Sequence, residues 1–321
     1  MHIFKYLITL AFLAGASHAY PQAYPTKPVR IIIPGAAGAP PDILSRAMGP
    51  AMTQALGQAW VVENRVGANG IIGMEAVIRS NPDGYTLSIT QGAPVSLNPY
   101  FYTKLPYEPL RDLAPIANMG VIAASILVSA ATPVNSMREL VDMARAKPET
   151  LLWSTWGPGS FSDLYRAWTE SYFNVKFQEL PYKASSAAFQ SVISGEGHVM
   201  LNASGALTSL AKAGKIKVLA TIGPNRYRTL PDVPSFAELG YDVDFRGWVG
   251  AFAPTGTPRD IIARLNNEIN KVLSDNAFNE KFLVPGSVEF KPGTPEEFGR
   301  FIKVDRELAG RLTKLAKVKP E

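Results

Sequence analysis

Val29-Arg30-Ile31-Ile32-Ile33, followed by Pro34-Gly35-Ala36-Ala37-Gly38-Ala39-Pro40-Pro41-Asp42, decides how the rest of the chain is read. The first five residues are a nearly continuous β-branched run, as expected of a strand buried on both faces of a parallel sheet. The next nine are almost free of bulky side chains. Beyond them Ile43, Leu44, Ala47, Met48, Ala51, Met52, Ala55 and Leu56 fall on one face at helical spacing, so the bare loop feeds a helix N-terminus. The first amides of a helix have no intrahelical partner and sit at the positive end of its dipole, and small residues let a ligand approach the backbone. The expected guest is a carboxylate or phosphate. The same residues also suit any tight strand-to-helix connection, where proline is at home in the first helical turn. The loop lacks the Gly-Lys-Ser/Thr ending of a Walker loop and is not Gly-x-Gly-x-x-Gly, which argues against a nucleotide.

Upstream, Lys5 precedes an apolar run from Tyr6 to Ala16, and Ser17-His18-Ala19 puts small residues at the two positions a signal peptidase reads. The run is too short to span a bilayer. Residues 1–19 therefore read as a secretory signal, and the compartment implied is the periplasm. N-terminal sequencing of the exported protein should begin at Tyr20; a chain still starting at Met1 would refute the reading. The 321 residues include no cysteine, so neither a lipoprotein anchor nor a disulfide framework is expected. The formal charge of +5 is spread along the chain without a basic run or basic-aromatic alternation, so nucleic-acid binding is unsupported. No second apolar stretch approaches membrane length. The length after the signal suggests about two domains.

The chemistry available is narrow. His2 and His18 fall within the signal, leaving His198 and no thiol. A His-rich metal centre and a Cys-His pair are excluded, and no Gly-x-Ser-x-Gly elbow is present. No cofactor is implied. A secreted enzyme would have to use Asp42, Asp163 or His198 as its acid-base group.

Trp60-Val61-Val62 reads as a second strand, Glu63 to Gly70 as a polar glycine-rich loop, and Ile71 to Ser80 as a short helix. Asn81-Pro82-Asp83-Gly84 is a turn ahead of a strand from Tyr85 to Ile89, and Thr90-Gln91-Gly92-Ala93 is another small polar loop at a strand end. Loops at the carboxyl ends of strands are where open α/β sheets hold ligands.

Farther along, Ile122 to Ser129 reads as a strand and Ser136-Met137-Arg138-Glu139 as a capping box for a helix reaching Ala146. Leu151 to Ser154 runs into Thr155-Trp156-Gly157-Pro158-Gly159-Ser160, a second bare strand-to-helix loop, and Leu164, Trp168 and Tyr172 follow at helical spacing. Val175 to Glu179 leads to Pro181-Tyr182-Lys183, Val199 to Leu201 and Lys215 to Thr221 are strands, and Ala184 to Ile193 a helix. The chain returns through Gly247 to Pro254 and closes with two helices starting near Thr257 and Thr294; Ile261, Leu265, Ile269 and Leu273 form the buried face of the first. Two bare loops lining one cleft would let domain closure trap a ligand between them.

These residues resemble a known family. Glu63-Asn64-Arg65-x-Gly67-Ala68, Pro82-Asp83-Gly84-Tyr85-Thr86-Leu87, Asn98-Pro99, Leu105-Pro106-Tyr107, Pro181-Tyr182-Lys183, Ala213-Gly214-Lys215, Leu230-Pro231-Asp232-Val233-Pro234 and Trp248-x-Gly250-x-x-Ala253-Pro254-x-Gly256-Thr257-Pro258 are similar to the Bug (Bordetella uptake gene) proteins. Those are the extracytoplasmic substrate-binding proteins of tripartite tricarboxylate transporters. The resemblance implies an α/β type II periplasmic-binding-protein fold, two α/β domains joined by two crossing strands with a ligand cleft between them. The crossings fall near Ser125 and Trp248, giving residues 20–124 plus 249–321 as domain 1 and 125–248 as domain 2.

It also implies a ligand carboxylate held by the first loop with its waters and by the glycine-rich loop of the second domain. Matched residue by residue, that places Gly38, Ala39 and Asp42 at one end and Gln91 and Gly92 at the neighbouring strand end. Thr155, Trp156, Gly157, Gly159, Ser160, Phe161, Ser185 and Asn202 lie opposite. Asp42 is expected to orient its loop or accept from water, since like charges repel. The chain departs from the family where ligand identity is written. Gly38-Ala39-Pro40-Pro41-Asp42 stands where Gly-Gly-x-Thr-Asp is usual, losing a hydroxyl and an N–H. Trp156 and Phe161 replace smaller residues, Asp163 a common His, His198 a common Asp, and Ala184 to Ala187 a Gly-rich turn.

The reading is thus a periplasmic solute-binding protein, monomeric and without catalysis, that passes a small-molecule carboxylate to the membrane subunits of a tripartite tricarboxylate transporter. Trp156, Phe161 and Trp248 favour an aromatic or bulky apolar carboxylate over citrate, unless Trp156 and Phe161 turn inward as core; Arg246 and Lys183 are the cations nearby. A sensor role is the other non-catalytic reading.

Overall fold

The computed structural model describes residues 24–320, so the signal assigned to residues 1–19 lies outside the described residues. Val29–Ile33 (β1) leads into Pro40–Leu56 (α1) and Trp60–Asn64 (β2), and β1 and β2 pair in parallel from Val29↔Trp60 to Ile33↔Asn64. Val29, Ile31 and Ile33 turn one face onto Leu44, Met48, Met52 and Leu56 of α1, and Ile32 is buried as well. This is why the run is β-branched throughout. Gly57 ends α1 in the left-handed conformation, φ 70°.

The remaining principal elements are Ile71–Ile78 (α2), Thr86–Gln91 (β3), Leu113–Ile122 (β4), Ala124–Ser129 (β5), Met137–Ala146 (α3), Leu152–Thr155 (β6), Phe161–Phe173 (α4) and Gln178–Pro181 (β7). Ser185–Ser194 (α5), Val199–Ala203 (β8), Leu207–Lys212 (α6), Ile216–Thr221 (β9), Trp248–Pro254 (β10), Arg259–Leu273 (α7), Val288–Glu289 (β11) and Pro295–Leu315 (α8) follow. Among the described residues the strands form two sheets, ordered β11-β4-β10-β3-β1-β2 and β7-β6-β8-β5-β9. Each mixes parallel βαβ units with antiparallel returns. Along β10, Val249, Ala251 and Ala253 face α1 and α7, while Trp248 and Phe252 face Phe298 and Ile302 of α8, the two-residue period of a strand covered on both sides. In the second sheet Ile126 and Val128 of β5 pack with Trp153 and Leu164, and Leu127 with Val192 and Met200.

The stretch expected as one strand from Ile122 to Ser129 is two. β4 ends at Ile122 in the first sheet and β5 begins at Ala124 in the second, and the amide of Ala123 between them donates to Ser287 O at 2.8 Å. β4 itself escapes a pattern search because Pro115, Asn118 and Gly120 interrupt its alternation, with irregularities in its register against β10. The chain returns beside the first crossing, where Ile122 N donates to Gly247 O at 2.6 Å. A third link is α8. Phe298 and Ile302 lie in the first lobe with Trp248, whereas Ala309 and Leu312 join the second lobe's core with Leu164 and Tyr165, so α8 does not belong to domain 1 alone.

The expected caps differ in detail. Thr294 and Glu297 form a full capping box, but Glu139 accepts from Asn135 N while Ser136 caps alone. Thr257 donates to Pro254 O and leaves α7 without a side-chain cap.

Candidate functional site

A cleft of about 560 Å³ opens between the lobes where the loops after β1, β2, β3 and β6 converge. Ligands of open α/β sheets sit at such carboxyl ends. Its first-lobe wall includes Pro34, Ala39, Pro41, Val66, Asn69 and Phe101, and its second-lobe wall runs from Trp156 through Pro158, Gly159 and Ser160 to Phe161. Among the described residues that line it, none carries a charged side chain. An anion here is therefore held by amides and hydroxyls.

The two bare loops are built on one plan. In the first, Gly38 N donates to Asp42 Oδ2 at 2.9 Å and Arg46 Nε to Asp42 Oδ1 at 2.9 Å. In the second, Gly159 N donates to Asp163 Oδ2 at 2.9 Å and Arg166 Nη2 to Asp163 Oδ1 at 2.7 Å. Gly38 and Gly159 both have positive φ, 82° and 73°. Each aspartate, third in its helix, reaches back to the glycine preceding the cap and ties the loop to the helix. Burial pushes the Asp42 carboxyl up, but hydrogen bonds from Gly38, Asn64 and Arg46 outweigh it and hold the group below the usual carboxylate range. Both acids anchor their loops through these bonds, and neither lines the cleft.

The two helix starts differ in what they offer. Pro40 and Pro41 occupy the first two positions of α1 and have no N–H, and Ala39 caps without a side-chain bond. α4 starts Phe161-Ser162, whose amides precede the first intrahelical bond, Leu164 N to Ser160 O at 2.8 Å. Ser160 Oγ accepts from Asp163 N at 3.4 Å and keeps its own proton to give. Ser160→Ala should weaken carboxylate binding by about 1 kcal/mol and lower stability by about 1 kcal/mol through the lost cap. Calorimetry beside thermal melts separates the two; a lower midpoint with unchanged affinity would make Ser160 a cap only.

Of the residues picked from the sequence, Ala39, Gln91, Trp156, Gly159, Ser160 and Phe161 line the cleft. Gly38, Asp42, Gly92, Thr155, Gly157, Ser185 and Asn202 do not. Gly38 and Asp42 form the lock behind the wall. Gly92 is a packing glycine, since a Cβ there would lie 2.5 Å from Trp248 Nε1. Thr155 is buried and donates to Glu179 Oε1 at 2.8 Å, and Gly157 supplies a φ of 106° for the turn. Ser185 is exposed at the start of α5, and Asn202 Oδ1 accepts from the neighbouring Ala203 N.

Trp248 is not a binding wall. It is 1% exposed and donates from Nε1 to Asp305 Oδ2 at 2.7 Å. Trp156 does reach the cleft; Phe161 lines it while stacking on Phe245 at 5.2 Å. Arg246 is consumed by Asp244 and Glu289, and Lys183 is exposed, away from the wall. His198 Nδ1 accepts from Leu152 N at 2.9 Å, and burial holds its pKa below the usual imidazole value. It secures β6 to β8 and has no nucleophile in hand.

The lining residues that the sequence reading passed over are chiefly Pro34, Val66, Asn69, Thr90, Asn98 and Phe101. The glycine-rich loop at the end of β2 pointed to Val66 and Asn69. Asn98 stood in the Asn98-Pro99 motif of the resemblance without being singled out, and nothing local marks Phe101; both sit on a one-turn helix, Asn98–Phe101, carried into the cleft by the fold. Among the described residues no group of His, Cys, Asp and Glu could hold a metal, and no helix is long and apolar enough to cross a membrane.

The family model described as "Tripartite tricarboxylate transporter family receptor" matches residues 44–317. A protein from the tcbD-tcbE intergenic region of Pseudomonas sp. strain P51 is 30% identical over 305 residues, covering 94% of this chain and 90% of its own. The fold matches a TctC solute binding protein from Polaromonas without ligand, with a TM-score of 0.81, 26% identity and coverage of 91% and 99%. It also matches R. palustris Rpa4515 with adipate, with a TM-score of 0.76, 26% identity and coverage of 93% and 100%.

Proposed function

Because this chain belongs to the tripartite tricarboxylate transporter receptor family TctC, whose members are solute-binding receptors and not enzymes, we propose that it captures an organic carboxylate in the inter-lobe cleft. In this reading it works in the periplasm and delivers its cargo to the membrane subunits of a tripartite transporter, and the cargo is aromatic or bulky and apolar. The observation that carries it is the cleft itself: a second-lobe wall with the Ser160 hydroxyl and Phe161 at a helix start, flanked by the rings of Phe101, Trp156 and Phe161 and by no charged side chain among the described residues. Adipate in a relative of the same fold supports the carboxylate class. Ala39, Gln91, Trp156, Gly159, Ser160 and Phe161 are the proposed ligand contacts, with Asp42 and Asp163 holding the loops.

A thermal-shift screen of benzoate, phthalate, adipate, malate and citrate tests the reading, since a bound ligand raises the midpoint with the logarithm of concentration over Kd. Benzoate-like acids should stabilise most, and Trp156→Ala should reduce their affinity by about 1 kcal/mol, the worth of one ring contact. Stabilisation by citrate or malate alone, indifferent to Trp156→Ala, would refute the aromatic preference.

A further inference from the structure

We infer that Arg166 is the positioning residue of the second-lobe loop, setting ligand affinity from behind the wall; this rests on the carboxylate-receptor reading above. The loop that brings Trp156, Gly159 and Ser160 to the cleft is tied at both ends. At its start Thr155 Oγ1 donates to Glu179 Oε1 at 2.8 Å and accepts from Gly157 N at 3.4 Å. At its end Gly159 N donates to Asp163 Oδ2. Arg166 joins the two ties. Its Nε and Nη2 both donate to Asp163 Oδ1, at 3.2 and 2.7 Å, and Nη2 lies 3.9 Å from Glu179 Oε2. Its Nη1 donates to Glu170 Oε1 at 3.0 Å, which fixes the guanidinium to its own helix. The contacts thus run from the end of β6 through the edge strand β7 to α4 and back to the loop.

The first lobe has the same circuit in a more exposed form. Arg46 Nη2 donates to Asn64 Oδ1 at 2.8 Å, at the end of β2, and Asn64 Nδ2 donates to Gly35 O at 3.1 Å. Arg46 therefore links the start of that loop to Asp42 and Gly38 at its end. The difference is solvent: the Arg46 side chain is 53% exposed, whereas that of Arg166 is 15% exposed and that of Asp163 4%. An exposed ion pair is screened and contributes little, but removing one partner of a buried pair leaves the other charge uncompensated. Without Arg166, Asp163 and Glu179 each lose the one ion pair they form among the described residues, and they repel each other and Glu170. The loop must then be ordered as the ligand arrives, and that ordering is subtracted from affinity.

Calorimetry with benzoate, phthalate and adipate on Arg166→Gln, Arg166→Lys, Thr155→Val, Arg46→Gln and Leu140→Ala tests this, beside amide hydrogen exchange without ligand. Arg166→Gln should weaken whichever of these acids bind the wild type about tenfold, and Arg166→Lys, which keeps a charge between the carboxylates, should recover part of the loss. Thr155→Val removes the hydroxyl at nearly the same volume and should weaken binding several-fold, Arg46→Gln less than threefold. Leu140, fully buried on α3, is the control: its truncation should lower the melting midpoint and leave affinity unchanged. Exchange at Gly157 and Gly159 should quicken in Arg166→Gln while the amides of β5, a strand paired on both sides, stay slow, which a general loss of stability would not produce. Unchanged affinity in a folded Arg166→Gln would overturn the inference and leave the receptor reading standing, as would an equal loss of affinity in Leu140→Ala. If Arg166→Gln does not fold, Thr155→Val decides, and wild-type affinity there overturns the inference. If no acid of the panel binds the wild type, the receptor reading fails and takes the inference with it.

Discussion

Gly159→Val should lower affinity for the best carboxylate of the screen about a hundredfold, roughly 3 kcal/mol, because it props the lobes apart. Gly159 belongs to the second lobe, and a Cβ built on it would lie 2.6 Å from Cζ of Phe101, on the first lobe. Its φ of 73° adds strain of about 1 kcal/mol for a side chain. The sequence alone suggests that valine would block the ligand directly; the structure moves the obstruction to the contact between lobes. Closure is the step that surrounds a ligand in a two-lobed receptor, so an obstruction there acts on affinity more than on folding. Small-angle scattering of the variant with ligand should show a larger radius of gyration than the liganded wild type. Adding Phe101→Ala should recover part of the lost affinity by clearing the space. Unchanged affinity and radius in Gly159→Val would show that the Phe101 ring yields without cost.

The second large effect concerns stability. Asp305 on α8 is 4% exposed, and among the described residues it forms no ion pair; the Trp248 indole N–H donates to it at 2.7 Å. Burial pushes its carboxyl up to about 6, only partly offset by the Ser96 hydroxyl and the Trp248 indole, and Asp244 adds repulsion. A folded pKa above the unfolded value means the group favours folding when protonated. Its contribution is complete below the unfolded pKa near 4 and is lost as pH rises through about 6. Asp305→Asn keeps an acceptor for Trp248 and removes the charge, so it should stabilise the protein at pH 7.5 by about 3 kcal/mol, two pKa units' worth. At pH 4 the two proteins should unfold alike, apart from the common loss at other carboxylates. Denaturant titrations at both pH values decide it; equal stability at pH 7.5 would show that Asp305 is ionised there without penalty. Because α8 reaches both lobes beside the return crossing, the same titration bears on how firmly the lobes are joined.

Much of the site was legible because it is local. A β-branched run, a loop of small residues and an amphipathic helix are adjacent in sequence, and the Gly38–Asp42 and Gly159–Asp163 bonds span four residues each. Local geometry of that kind follows from chain stereochemistry. The repetition of the plan in the second lobe was visible for the same reason, as was the loss of a hydroxyl and an N–H where proline enters the first loop.

Where the reading strayed, the deciding partner lay far along the chain. Trp248 looked like a ligand wall until Asp305, fifty-seven residues later, claimed its indole. Gly92 looked like an anion loop, yet it is small to make room for that indole. Ser185 and Asn202 stood at an expected loop and strand end, but neither lines the cleft. Phe101 had no signal at all. By itself, the sequence determined the two strand-loop-helix units, the narrow acid-base inventory and the missing donors of α1, because each depends on neighbours within one turn or one strand. Only the tertiary structure decided which aromatic rings face the cleft, which are core, and that α8 ties the lobes together, because burial depends on what the rest of the chain packs against each face.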